Sequence, residues 1–245
     1  MDAAFTVDLE PDCPPFLQGF RGMEQGLPRL LDVLTRQTIR ATFFTTGEVA
    51  RRYPDAVQSV VKAGHELACH GMTHTAFTAM SRDAARREID ESAAILRQFA
   101  SVTSFRAPYL EFPDAYLDLV IDAGFVLDSS QAKYKRAYHQ SKRSVTHPLI
   151  TRIPASLTSS ALRIPRVLRK AYLRLLDAPV VLFVHPWEFV DLRAEKIRND
   201  CRFRTGDVAL ECVDDALRGM VGRGARFKTM RELGQERRAT LVQGN

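Results

Sequence analysis

Phe5-Thr6-Val7-Asp8-Leu9, then Leu27-Pro28-Arg29-Leu30-Leu31-Asp32-Val33-Leu34, then Ala41-Thr42-Phe43-Phe44-Thr45: from these three runs the fold of the 245-residue chain can be read. The first and last are short and rich in β-branched and aromatic residues, as strands are. The middle run repeats its apolar residues at 27, 30, 31 and 34, the spacing of one helix face. Strand, helix, strand is a crossover unit, and it makes the two strands parallel. The alternation continues with expected helices near 54–63, 81–99, 116–123, 162–176 and 208–221. Expected strands lie at 66–69, ending at 105, and at 125–127, 151–155, 180–184 and 226–228. Units of this spacing predict an α/β fold, a distorted (β/α) barrel of about seven strands. One domain is expected over residues 1–236, with residues 237–245 a tail that frays.

Composition leaves an ordinary globular chain: 45% hydrophobic and 26% charged residues. No run approaches the roughly 18 apolar residues of a membrane span. Met1 leads directly into the first strand pattern, so no signal peptide is expected. The four cysteines, Cys13, Cys69, Cys201 and Cys212, form no CxxC pair and are expected as free thiols, which suits a cytoplasmic address. The net charge of +6 is uneven. Residues 129–176 hold eleven Lys or Arg and no acid, so the rest of the chain is net acidic. Such a segment attracts phosphate, an anionic glycan or an inner membrane face, or is simply a solvated surface. No nucleic-acid motif accompanies it.

Functional groups of parallel barrels gather at the C-terminal ends of the strands. Asp8 and Glu10 end the first strand, His70 the third, Arg106 the fourth, Asp128 the fifth, and His185 the strand starting at Val180. They are expected on one rim. His70 and His74 are spaced to approach one ion, although such a pair alone is weak evidence. A hydrolytic ion wants about three protein ligands and an open position. Asp8 and Glu10, two apart on an extended run, face the same way, so one can bind the ion and the other take a proton. Asp12, beyond Pro11, has no readable direction. Arg106 can clamp a carboxylate, in a catalytic or a purely structural pair. His185, alone, reads as a packing residue; its rim position makes it a candidate acid.

These residues resemble the polysaccharide deacetylase family, carbohydrate esterase family four, which includes chitooligosaccharide deacetylases. The first motif is similar to Phe5-Thr6-Val7-Asp8-Leu9-Glu10, the second to His70-Gly71-Met72-Thr73-His74. The later three are similar to Arg106-Ala107-Pro108-Tyr109, to Asp128-Ser129-Ser130 and to Phe183-Val184-His185-Pro186-Trp187-Glu188. The match spans roughly residues 3 to 235. The stretch from Phe20-Arg21-Gly22 to Gly26-Leu27-Pro28-Arg29-Leu30-Leu31 also resembles the branch that deformylates a lipid-linked aminosugar. The resemblance implies Asp8 as base, held ionised by Arg106, and His185 as acid, oriented by Asp128. It implies Glu10, His70 and His74 as metal ligands, with Asp12 a rival third ligand because Leu9 stands where many members have a second aspartate. The Tyr109 N–H would face the oxyanion; Trp187, a sugar-facing aromatic, and Glu188 would bind substrate. Zinc suits two imidazoles and a carboxylate, and Fe(II), Mn or Co remain alternatives.

The expected function is removal of an N-acetyl or N-formyl group from an aminosugar glycan, phosphate-bearing or lipid-linked in the absence of an export signal. The basic helix expected at 162–176, with Arg163, Arg166, Arg169, Lys170 and Arg174, would steer such an anion. Two rivals remain: an amidase acting on a non-sugar amide, and a silent protein holding anionic glycan or membrane. Oligomeric state is not written in the sequence.

Overall fold

β1 (Asp2–Leu9) lies inside an eight-stranded sheet, and every partner pairing is parallel. The structure, a computed structural model, describes residues 1–140 and 148–243. Along the sheet the order is β6 (Thr151–Arg152), β5 (Leu127–Asp128), β4 (Ser104–Phe105), β3 (Glu66–Cys69), β2 (Thr42–Thr45), β1 and β7 (Val180–Val184); β8 (Arg226–Phe227) adds to the start of β1. Beyond β6 the chain returns to β7. Ser156 N–H donates to Val181 O at 2.9 Å, and Val181 N–H donates to Ser156 Oγ at 2.9 Å, so the sheet curls almost shut. This is the single-domain, curled barrel the strand count implied.

Helices wrap the outside. In chain order they are α1 (Leu27–Gln37), α2 (Gly47–Arg52), α3 (Pro54–Lys62), α4 (Arg82–Leu96), α5 (Leu117–Asp122), α6 (Arg136–Gln140), α7 (Arg166–Arg174), α8 (Asn199–Arg202), α9 (Asp207–Val221) and α10 (Met230–Gln243). α1 buries Leu27, Leu30, Val33 and Leu34, three of the four periodic positions the sequence marked, against the outer sheet face. Side chains on β1 alternate between Phe5, Val7 and Leu9 in this outer core and Ala4, Thr6 and Asp8 on the inner side. Ala4, Phe44, Ala68, Leu127, Ile153 and Val181 fill the lumen, where Met230 and Leu233 join them.

That last contact corrects an expectation. The helix α10 continues past Glu236 to Gln243, where a fraying tail was expected, and its first turns plug the N-terminal end of the barrel. Its first turn is held by Met230 N–H donating to Thr42 Oγ1 at 2.8 Å and Arg231 N–H to Glu66 Oε2 at 2.9 Å, a carboxylate at a helix N-terminus. The periodic signal of α10 is thin because only these few side chains enter the lumen.

The basic segment is also different from its expected form. Its helix, α7, is shorter, and Arg163 stands outside it in a 3₁₀ turn, Ser159–Arg163. Arg163 and Arg169 are buried, not displayed: Arg169 bonds Leu162 O, Ile164 O and Asp215 Oδ2, while Arg166 takes Asp215 Oδ1. Lys142 and Arg143 lie outside the described residues. The four cysteines are unpaired. No described helix is long and apolar enough to cross a membrane.

Candidate active site

The inner-side parity that carries Thr6 and Asp8 into the lumen also carries Arg106, one residue past β4, and His185, one residue past β7. Arg106 is wholly buried. Its Nη1 donates to Asp8 Oδ1 at 2.7 Å and to Thr6 Oγ1 at 2.9 Å, Nη2 donates to Ser129 Oγ at 3.1 Å, and the guanidinium lies 4.1 Å from the centre of the Phe44 ring. Three bonds and an aromatic face fix the cation. Asp8 thereby keeps one oxygen tied and the other, Oδ2, 4.0 Å from His185 Nε2.

Glu10 follows the end of β1 and turns its two oxygens to different tasks. Oε1 accepts the Trp187 indole N–H at 3.1 Å; Oε2 lies 2.6 Å from His74 Nε2 and 3.4 Å from His70 Nε2, yet receives no hydrogen bond of acceptable angle. His70 presents Nε2 for a defined reason. Its Nδ1 is 2.8 Å from Arg106 O, and since a carbonyl only accepts, Nδ1 carries the proton and Nε2 keeps its lone pair. Candidate ligand atoms of Glu10, His70 and His74 fall within 4.8 Å of one another, all three residues buried. An orphaned carboxylate oxygen aimed at imidazole nitrogens fits a divalent cation.

Asp12, the rival third ligand, stands outside the Glu10–His70–His74 group. Oδ1 accepts Gly22 N–H at 2.8 Å and Oδ2 accepts Arg21 N–H at 2.9 Å, so its carboxylate starts the π-helical turn Gly22–Gly26 that leads into α1. That turn is packed directly against the His185 loop: a Cβ on Gly26 would meet Pro186 O at 2.0 Å, and one on Gly22 would meet Trp187 N at 2.5 Å.

The residue expected to orient His185 is a second correction. Asp128 does not touch the imidazole; its Oδ2 accepts from Arg152 Nε at 2.9 Å and its Oδ1 from Ser130 N–H at 3.0 Å, while Ser130 Oγ accepts Ala107 N–H at 2.8 Å. Asp128 therefore shapes the Arg106-to-Tyr109 loop. Glu188, expected to bind substrate, does the orienting: Oε1 accepts both the backbone N–H of His185 at 3.0 Å and its ring Nδ1–H at 2.8 Å. Its other oxygen lies 3.1 Å from Arg163 Nε. Arg163 is a residue that sequence reading placed on the surface. It spends Nη1 and Nη2 on Asp200 O, Cys201 O and Phe203 O, tying the rim loop to Glu188. The three-residue spacing from His185 to Glu188, that of a capping box, was the signal available.

Charge on this cluster follows from its contacts. Burial pushes the Glu10 carboxyl up, but His74 and His185 outweigh it and hold it well below the usual carboxylate range. Burial pushes His185 down; Glu10, Glu188 and Asp8 outweigh that and bring it to about 9. For Glu188, burial is outweighed by Arg163 and the bond from His185, which keep it ionised.

Asp8, Glu10, His70, His74, His185 and Trp187 line one pocket of about 280 Å³. Trp187 stacks on His185 at 4.8 Å and is nearly buried, so it braces the site more than it offers a face. The exposed aromatics at the rim are Phe16, Tyr109 and Tyr134. Tyr109 adopts the left-handed region at φ 60° and packs edge-on against His74, with ring centres 4.7 Å apart.

A chitooligosaccharide deacetylase of Sinorhizobium fredii is 37% identical over 100 residues, 40% of this chain and 46% of that protein. A peptidoglycan-N-acetylglucosamine deacetylase of Bacillus cereus is 28% identical over 128 residues, 51% of this chain and 42% of that protein. The matched stretch thus spans less than half the length of these curated relatives. A solved structure from Mycobacterium smegmatis, described as of the polysaccharide deacetylase type, superposes with a TM-score of 0.72 at 22% identity, covering 98% of this chain and 90% of that one. The family model for polysaccharide deacetylase matches residues 4–127, just over half of the sequence, and the chain belongs to that family.

Proposed function

We propose that the protein hydrolyses the N-acyl group, acetyl or formyl, of an aminosugar-containing glycan, using a divalent cation held by Glu10, His70 and His74. The observation that carries this reading is the facing pair Asp8 and His185, 4.0 Å apart beside the Glu10–His70–His74 cluster. A cation there supplies Lewis-acid polarisation of the amide carbonyl and of a water molecule. The chain's own groups do the rest. Asp8, clamped at Oδ1 by Arg106, takes the proton from the attacking water through its free oxygen. Water adds to the carbonyl carbon, the C–N bond then breaks, and His185 delivers a proton from Nε2 to the departing amine. Glu188 accepts from Nδ1 throughout and keeps Nε2 pointed into the pocket. The Tyr109 N–H is the candidate donor to the oxyanion. Zinc is the first choice of metal. The four free thiols suit a reducing, cytoplasmic setting.

The test is metal analysis of the purified protein followed by amine-release assays on N-acetylated and N-formylated aminosugars and on simple non-sugar amides. Bound zinc and chelator-sensitive release from a sugar support the reading. Release only from non-sugar amides makes the protein a different amidase, and no release from any amide by the metal-loaded protein overturns it.

A further inference from the structure

α7 shows two unlike sides. One is anchored: Arg169 and Leu173 are buried, and Arg166 and Arg169 share Asp215 of α9. On the other side Val167, Leu168 and Leu175, the residue that ends the helix, are 80%, 60% and 80% exposed, and Ala171 is exposed with them. Positions 167, 168, 171 and 175 form one stripe on a helix. Lys170 and Arg174 border it, and neither takes a partner among the described residues. No acid occurs anywhere from 129 to 176. Apolar stripe and cationic border together are the pattern of a helix that lies in a membrane interface.

We propose that this face of α7 seats the protein on a bilayer containing anionic lipid. Charge complementarity selects that occupant. A second copy joined through the same face would bring Lys170 and Arg174 toward their own counterparts, like charge against like. Anionic headgroups pair with both cations while the acyl boundary takes up Val167, Leu168 and Leu175. Placement adds a consequence. The turn Ser159–Arg163, just before α7, contributes Ser159, Ser160 and Arg163 to the catalytic pocket. Seating α7 brings that mouth near the headgroup layer, where a lipid-anchored glycan presents its sugar. The substrate half of this statement rests on the hydrolase reading, whereas the bilayer contact stands without it.

The experiment is co-sedimentation of the full chain with vesicles of phosphatidylcholine alone or with about a quarter phosphatidylglycerol, at low and raised salt. Wild type is expected to pellet with the anionic vesicles, less at raised salt, and to remain in solution with phosphatidylcholine alone. Lys170→Gln with Arg174→Gln is expected to weaken binding roughly thirtyfold, at about 1 kcal/mol per cation. Val167→Ser with Leu168→Ser and Leu175→Ser is expected to abolish it with an unchanged circular dichroism spectrum. Asp8→Asn, aimed at the hydrolase reading, is expected to bind as wild type, which separates failure of the two ideas. Wild type that stays in solution with both vesicles, or a serine variant that binds unchanged, overturns the proposal. So does a wild-type dimer in sedimentation velocity that the serine variant dissolves, which would make the face a self-interface.

Discussion

At the residue scale the decisive contacts are those of two carboxylates whose roles exchange. Asp128 sits where the family's motif order led, at the end of its strand, but its oxygens go to Arg152 and Ser130; Glu188 takes the imidazole. Sequence order carries which residue types reach the rim, and it does not carry which of two acids lies nearer to a given ring nitrogen. Asp8, His70, His74, Arg106 and His185 were legible because each stands at a strand end or in a loop next to one. Arg163 was not, because a buried arginine and a surface arginine look alike in a basic segment. Glu188→Gln is therefore expected to lower kcat about a hundredfold with metal content retained, and Glu188→Asp to recover part of it. Asp128→Asn should act through stability, costing about 3 kcal/mol in urea unfolding as Arg152 loses a buried partner. Equal kcat losses for the two variants would contradict the exchange. Asp8→Asn is expected to reduce turnover by at least about a hundredfold while zinc content, measured by elemental analysis, stays at the wild-type level.

At the scale of elements, the strands and α1 follow the sequence to within a few residues, since period two and period 3.6 are strong signals there. α10 was missed: its lumen-facing Met230 and Leu233 are too few to make a stripe. Its tie to β2 and β3 runs through Thr42 and Glu66, and a second tie at the same end has a measurable pH signature. His65, just before β3, accepts Ala41 N–H at Nδ1 at 3.2 Å. Burial, and the Arg40 charge after it, lower its pKa from 6.5 to about 4. Below pH 6.5 the unfolded chain takes up a proton that the folded one refuses until about pH 4. Stability is thus complete above 6.5 and declines as the pH falls toward 4. Between pH 7 and pH 5 the wild type should lose up to about 2 kcal/mol that His65→Gln does not, read from urea midpoints at each pH. Parallel losses in both proteins would assign the acid sensitivity elsewhere.

For the molecule as a whole, one arrangement divides stability from chemistry: the lumen is packed by apolar side chains above a Glu66-anchored floor, and the groups that could do chemistry stand at the opposite mouth. Met230→Ala is expected to cost about 3 kcal/mol, through the cavity it leaves among Ala4, Phe44 and Val181, with kcat unchanged in the folded fraction. The barrel class was legible from the alternation of runs; its near-closure was not, because Ser156, which bonds Val181 of β7 through its backbone N–H and its hydroxyl, lies in a loop beyond β6 rather than in a strand. The chain contains one tryptophan, and that indole donates to Glu10 while stacking on His185. Its emission is consequently an intrinsic optical gauge of the catalytic centre. Titrating zinc into the stripped protein should change fluorescence with a saturable, chelator-reversible isotherm, and Glu10→Gln should flatten that isotherm without any assay of turnover.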